Sequence, residues 1–140
     1  MPVTVTPETF SLVGFDNAEI AALTEELLPK VGIDADADVR VEVNEGSPLG
    51  WAVVESLDPV TLNVESGALE DPKRPRQLSF EGAQNVIGRL LLEASDRLDP
   101  AFGAPPLDEP LDPVVANAWE TYRAGRLDQL GYRYFDQRQR

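Results

Sequence analysis

Residues 38–66 read DVRVEVNEGSPLGWAVVESLDPVTLNVES. Val39, Val41 and Val43 alternate with polar residues, the period-two pattern of a strand with one buried face. Val60, Leu62 and Val64 repeat it. WAVVES (51–56) lies between them as a third apolar run. Gly46, Pro48 and Gly50 mark a reversal before it, and Leu57-Asp58-Pro59 is short enough to make strands 51–56 and 60–66 an antiparallel hairpin.

Helices flank these strands. Asp16, with Glu19 three residues on, reads as an N-cap and capping box, and Phe15 and Ile20 can close a hydrophobic staple around it. Ile20, Leu23, Leu27 and Val31 share one face, and Pro29 and Gly32 end that helix. A polar loop (67–77) leads to FEGAQNVIGRLLLEASDRL (80–98), capped by Ser79 and closed by Asp99-Pro100. Its apolar face is Phe80, Ala83, Val86, Ile87, Leu90, Leu91, Ala94 and Leu98, with Glu93 and Asp96 pointing elsewhere. Gly82 and Gly88 suggest a close backbone approach, to the sheet. Asp112 and Pro113 start a third helix that buries Val115, Trp119 and Tyr122 and ends at Gly125 or Gly131. Residues 2–13 suit an extended arm or edge strand. The expectation is one α+β domain over 1–140: a small antiparallel sheet of about three strands flanked by three helices. A proline-rich connector (100–111) and a basic aromatic tail (131–140) complete it.

Composition excludes several chemistries. The chain has no histidine and no cysteine. Ser-His-Asp and thiol catalysis, thiolate or imidazole zinc sites, and disulfides are therefore out of reach. No cofactor and no metal is expected. The lack of cysteine and of any signal-like or 20-residue apolar run fits a cytoplasmic setting. The net charge of −13 disfavours nucleic acid and anionic membrane as partners. Ten arginines against two lysines fit a GC-rich genome or a halophile. Charge is uneven: residues 1–119 carry 22 acids and 7 bases, residues 120–140 carry 3 acids and 5 bases. The basic end lies on its own acidic body, or docks on a partner or a second copy.

Four groups of residues are candidate sites. Trp51, Arg123, Arg126, Tyr132, Tyr134 and Phe135 have the tyrosine, tryptophan and arginine character of protein interfaces. Lys73, Arg74 and Arg76 precede the long helix and suit a phosphate or carboxylate at its N-terminus. DADADVRVEVNE (34–45) places Asp34, Asp36, Asp38 and Glu45 at spacings like those of a calcium loop, but Val39 stands where such a loop needs glycine, so it reads as a solvated acidic turn. Glu93 with Asp96, and Glu55 with Glu65, are possible carboxylate pairs.

The order helix, sheet, long loop, helix over roughly residues 16–98 resembles minimal zincin-like metallopeptidase domains. In that family the helix after the sheet bears H-E-x-x-H. Here its centre reads Val86, Ile87, Gly88, Arg89, Leu90, Leu91, Leu92, Glu93, and no ligand position matches. The resemblance thus implies an inactive, metal-free relative. The residues themselves favour a non-catalytic binding domain with a protein partner or self-association. The other reading is a small carboxylate-based or divalent-cation-dependent enzyme. Protein purified without chelators is expected to hold no stoichiometric zinc by metal analysis, because only carboxylates and carbonyls are on offer.

Overall fold

A computed structural model describes residues 3–47 and 49–132. The elements are β1 (Val3–Thr6), α1 (Asn17–Lys30), β2 (Val39–Asn44), β3 (Ala52–Leu57), β4 (Val60–Glu65), β5 (Glu70–Asp71), β6 (Arg74–Leu78), α2 (Phe80–Leu98) and α3 (Pro113–Gln129). The fold is α+β, as expected, but its sheet is four-stranded and mixed, not three-stranded and antiparallel. The order is β1-β2-β4-β3. β1 pairs with β2 in parallel, β2 with β4 in parallel, and only β3 with β4 is antiparallel. The reason is the length of the connections. Helix α1 carries the chain back across the sheet, so β2 must run alongside β1. The tight β3–β4 hairpin then sets β3 outside and returns β4 beside β2. The N-terminal arm is thus an edge strand, Val3 and Val5 facing the core.

One face of the sheet is covered. Helix α1 lies against β1, α2 lies against β3 and β4, and the two helices pack on each other. Val39, Val41, Val60, Leu62 and Val64 meet Ile20, Leu27, Ile87 and Leu91 in one core. The expected loop at 67–77 contains a short 3-10 turn and the β5–β6 ribbon. Arg76 there has φ of +66°, its N–H donating to Glu70 Oε1 at 2.6 Å while its carbonyl accepts from Gly14 N.

The caps follow the local chemistry. Asp16, Ser79 and Asp112 accept from Ala18 N, Gly82 N and Val114 N. Helix α1 ends in a Schellman turn. Gly32, at φ +83°, lets Ile33 N reach Leu28 O and its own N–H reach Pro29 O. Helix α3 ends the same way at Gly131, with Tyr132 N donating to Leu127 O. Among the described helices none is long and apolar enough to cross a membrane.

Helix α2 is buried on two sides. Ile87, Leu91 and Ala94 face the core, whereas Gly88, Leu92 and Asp96 lie under α3. The close approach at Gly88 is to α3 and not to the sheet: a Cβ there would lie 2.8 Å from Leu127 Cδ2. Phe80 and Leu98, at the two ends of the expected apolar face, are exposed. On α3 the buried residues are Trp119, Arg123 and Leu127, while Val115 and Tyr122 face solvent. Leu91→Asp would put an unpaired charge in the core and is expected to cost about 5 kcal/mol or more, enough to unfold a domain of ordinary stability. Leu98→Ser should cost less than about 1.5 kcal/mol by the same reasoning. Urea melts followed by circular dichroism check the contrast.

Candidate binding site

The α2–α3 seam is made of charge. Asp96 is 5% exposed. Its Oδ2 accepts from Trp119 Nε1 at 2.8 Å, and Arg126 Nη1 donates to both its oxygens at 3.0 and 2.8 Å. One turn back, Glu93 accepts from Arg97 Nε at 3.0 Å and from Arg123 Nη1 at 2.9 Å. Arg123 Nη1 also reaches the Arg89 carbonyl. Arg89 itself pairs with Glu120. Arg97 and Arg123 stand over the Trp119 ring, with guanidinium carbons 5.1 and 5.3 Å from its centroid. The connector joins in: Arg97 Nη1 donates to Pro105 O, and the Phe102 ring lies 5.5 Å from that of Trp119. Glu93 and Asp96 are therefore neighbours, as their spacing requires, but each is committed to arginine.

The residues expected at an interface are placed as follows. Arg123 is 8% exposed, and Arg126 is half-buried over the Tyr122 ring. Tyr132 sits at the far end of α3, where its hydroxyl accepts from Lys30 Nζ at 2.7 Å and donates to Glu26 Oε1 at 3.3 Å. That hydroxyl first, and Glu26 second, hold the Lys30 ammonium above its usual pKa range. Tyr134 and Phe135 lie outside the described residues. Trp51 is 53% exposed, just before β3.

Of these residues Arg123 lines a cleft beside β3, and Trp51 does not. A cleft of about 250 Å³ opens between the start of β3 and the helices. Gly50, Ala52, Val86 and Leu90 form its apolar lining, and Arg89, Glu93, Glu120 and Arg123 its polar one. β3 is an edge strand hydrogen-bonded, among the described strands, to β4 alone. A bulge between Val54 and Ser56 leaves the stretch before Glu55 as its regular part. Arg89 Nε is buried without a partner atom. Sequence reading missed Gly50, Ala52, Val86, Arg89, Leu90 and Glu120 as site residues. A usable signal was present: acids at 93 and 96 on one helix match arginines at 123 and 126 on the next, at the same i, i+3 spacing.

The remaining candidates lie elsewhere. Lys73 and Arg74 are exposed at the tip of the β5–β6 ribbon. Arg76 lines a second cleft, of about 370 Å³, with Ser11, Leu12, Val13, Glu45, Gly46, Ser66 and Glu70. Glu45 there accepts from Ser11 N and Leu12 N. Strand β2 separates Asp34, Asp36 and Asp38 from Glu45 by about 20 Å of extended chain, so no loop gathers them. Glu65 accepts from the Ser47 hydroxyl at 2.6 Å, while Glu55 is exposed at the bulge. Among the described residues no group of three or more acids forms a metal-holding cluster. Comparison with protein-family models, with curated proteins and with solved structures gives no match.

Removing the buried carboxylate tests the seam. Asp96→Ala strands Arg126 and the Trp119 N–H, and is expected to cost about 3 kcal/mol. Chemical melts should show the loss, and the fluorescence of Trp119 should shift as its ring gains water.

Proposed function

We propose that this chain is a non-catalytic, cytoplasmic binding domain that takes an extended segment of a partner protein at the start of β3. One observation carries the reading: β3, which among the described strands pairs with β4 alone, borders a cleft lined by Gly50, Ala52, Val86 and Leu90 beside Arg89, Glu93, Glu120 and Arg123. A segment added beside Ala52–Val54 would gain main-chain hydrogen bonds, and every second side chain would point to the helix side, where the cleft lies. Trp51, exposed one residue before Ala52, would meet the same segment on the other face of the strand. The acids in the cleft, Glu93 and Glu120, are held by Arg123 and Arg89, so neither stands free beside a second carboxylate as hydrolysis would require. The charge of −13 argues against nucleic acid as the partner.

A second reading has its own support. If the resemblance to zincin-like metallopeptidases reflects kinship, the chain is an inactive relative. The helix segment matched to the family's metal site contributes Val86, Arg89, Leu90 and Glu93 to this same cleft, with no histidine among them. Both readings assign binding without hydrolysis to one place.

Selection from a random peptide library should yield extended binders with an apolar side chain, read by Trp51 fluorescence. Ala52→Arg fills the cleft and is expected to weaken them at least tenfold, about 1.4 kcal/mol, with an unchanged melt. A library without binders, or binders indifferent to both Ala52→Arg and Trp51→Ala, would remove the proposal.

A further inference from the structure

Among the described residues Arg76 alone, glycines aside, has a positive φ, at +66°. Glycine takes that conformation freely, whereas a side chain strains it. The fold uses main-chain atoms of this residue: its N–H donates to Glu70 Oε1 and its carbonyl accepts from Gly14 N, both at 2.6 Å. A glycine would make the same two bonds without strain. What the strain holds in place is the exposed Arg76 side chain, whose guanidinium forms no ion pair with a described residue. Strain of this kind gathers where a group is held ready for a ligand.

Arg76 lines the cleft of about 370 Å³ with Leu12, Val13, Glu45, Ser66 and Glu70. That volume lies within the range of roughly 300–1,000 Å³ typical of small-molecule sites. The cleft stands at the carboxyl ends of three parallel strands. Residues 11–13 belong to the segment that leaves β1, Glu45 follows β2 directly, and Ser66 follows β4 directly. Open sheets of parallel strands bind ligands at that end. Glu45 Oε1 is anchored by Ser11 N and Leu12 N at 2.8 and 2.6 Å, and Glu70 Oε1 by Arg76 N. Main-chain groups thus fix both carboxylates, and neither comes within 4.0 Å of the Arg76 guanidinium.

We propose that this cleft binds a free α-amino acid, its carboxylate on Arg76 and its ammonium on Glu70 and Glu45. A guanidinium offers two parallel N–H groups to a carboxylate, and an ammonium offers three donors to carboxylate oxygens. A plain anion here would meet two acids, and a plain cation would meet the arginine. A ligand with both charges leaves neither sign unpaired. Leu12 and Val13 give its side chain an apolar surface, which favours an aliphatic one. The site shares no lining residue with the cleft beside β3, so it stands independently of the peptide-binding proposal.

Ligand-observed NMR and calorimetry of the full chain against the standard L-amino acids are the test, with acetate, phosphate and methylammonium as single-charge probes. L-leucine or L-valine is expected to bind with a Kd of about 1 mM or tighter, and the single-charge probes at least tenfold more weakly. Arg76→Gly should weaken amino-acid binding at least tenfold while the thermal melt stays put or rises, because the strain goes with the side chain. Glu70→Gln keeps an acceptor for Arg76 N and should weaken binding too, whereas Ala52→Arg should leave it intact. No amino acid bound at about 10 mM overturns the proposal, as does binding that Arg76→Gly leaves unchanged. A lower melt for Arg76→Gly also overturns it, since the arginine side chain would then serve the fold. Acetate or phosphate bound as tightly as the amino acids would make the cleft a simple anion site and overturn the two-charge assignment.

Discussion

Asp96 is a carboxylate nearly out of water, on a helix whose next turn inward is leucine. Such a group costs several kcal/mol unless it is paired and hydrogen-bonded. Its partners, the Trp119 N–H and the Arg126 guanidinium, both come from α3. That requirement fixes how α3 is rotated. With Trp119 and Arg126 turned inward, Arg123 falls on Glu93 and Leu127 closes on Gly88. The charged flank becomes the wall of the cleft, and the uncharged flank is left in solvent. Seam, cleft and outer face follow from one buried acid.

The fold was legible where chemistry is local. Asp16, Ser79 and Asp112 cap the helices expected of them, and Gly32 and Gly131 close α1 and α3 with left-handed residues. The three valine-rich runs are strands, and Asp58-Pro59 turns one hairpin. Sheet order was not legible, because parallel pairing across α1 depends on contacts between residues more than 30 apart. The β5–β6 ribbon was hidden too: RPRQL has no apolar alternation, and Pro and Arg read as loop. On α2 and α3, burial does not follow hydrophobicity. Val115 and Tyr122 are apolar and exposed, while Asp96 and Arg123 are charged and buried. Each charged residue looks solvated on its own helix. Only the complement supplied from the other helix makes it a core residue.

The site was legible in fragments. Trp51 stood out as an aromatic at a strand start, and Arg123 as part of a basic end. The fold sets Arg123 in the cleft wall, whereas Trp51 lies between the lining residues Gly50 and Ala52 in the chain and is not itself part of the lining. The other candidates disperse: Lys73 and Arg74 to a ribbon tip, Arg76 to a second cleft, and Tyr132 to a latch on Lys30. Residue type alone could not separate the arginines that hold the domain together from those that face outward. Their partners make that distinction, and the partners lie about 30 residues away.

The placement of arginine also sets the surface. Arg89, Arg97, Arg123 and Arg126 lie in the seam with only three acids, Glu93, Asp96 and Glu120. The remainder of the chain is therefore more acidic, at −14, than the whole at −13. Long-range repulsion from such a surface reaches about 8 Å at physiological salt, which is the width of a helix. The outward side of α3 shows Val114, Val115, Ala118 and Tyr122 to solvent instead. The same inward turn of arginine that neutralises Asp96 leaves that side bare.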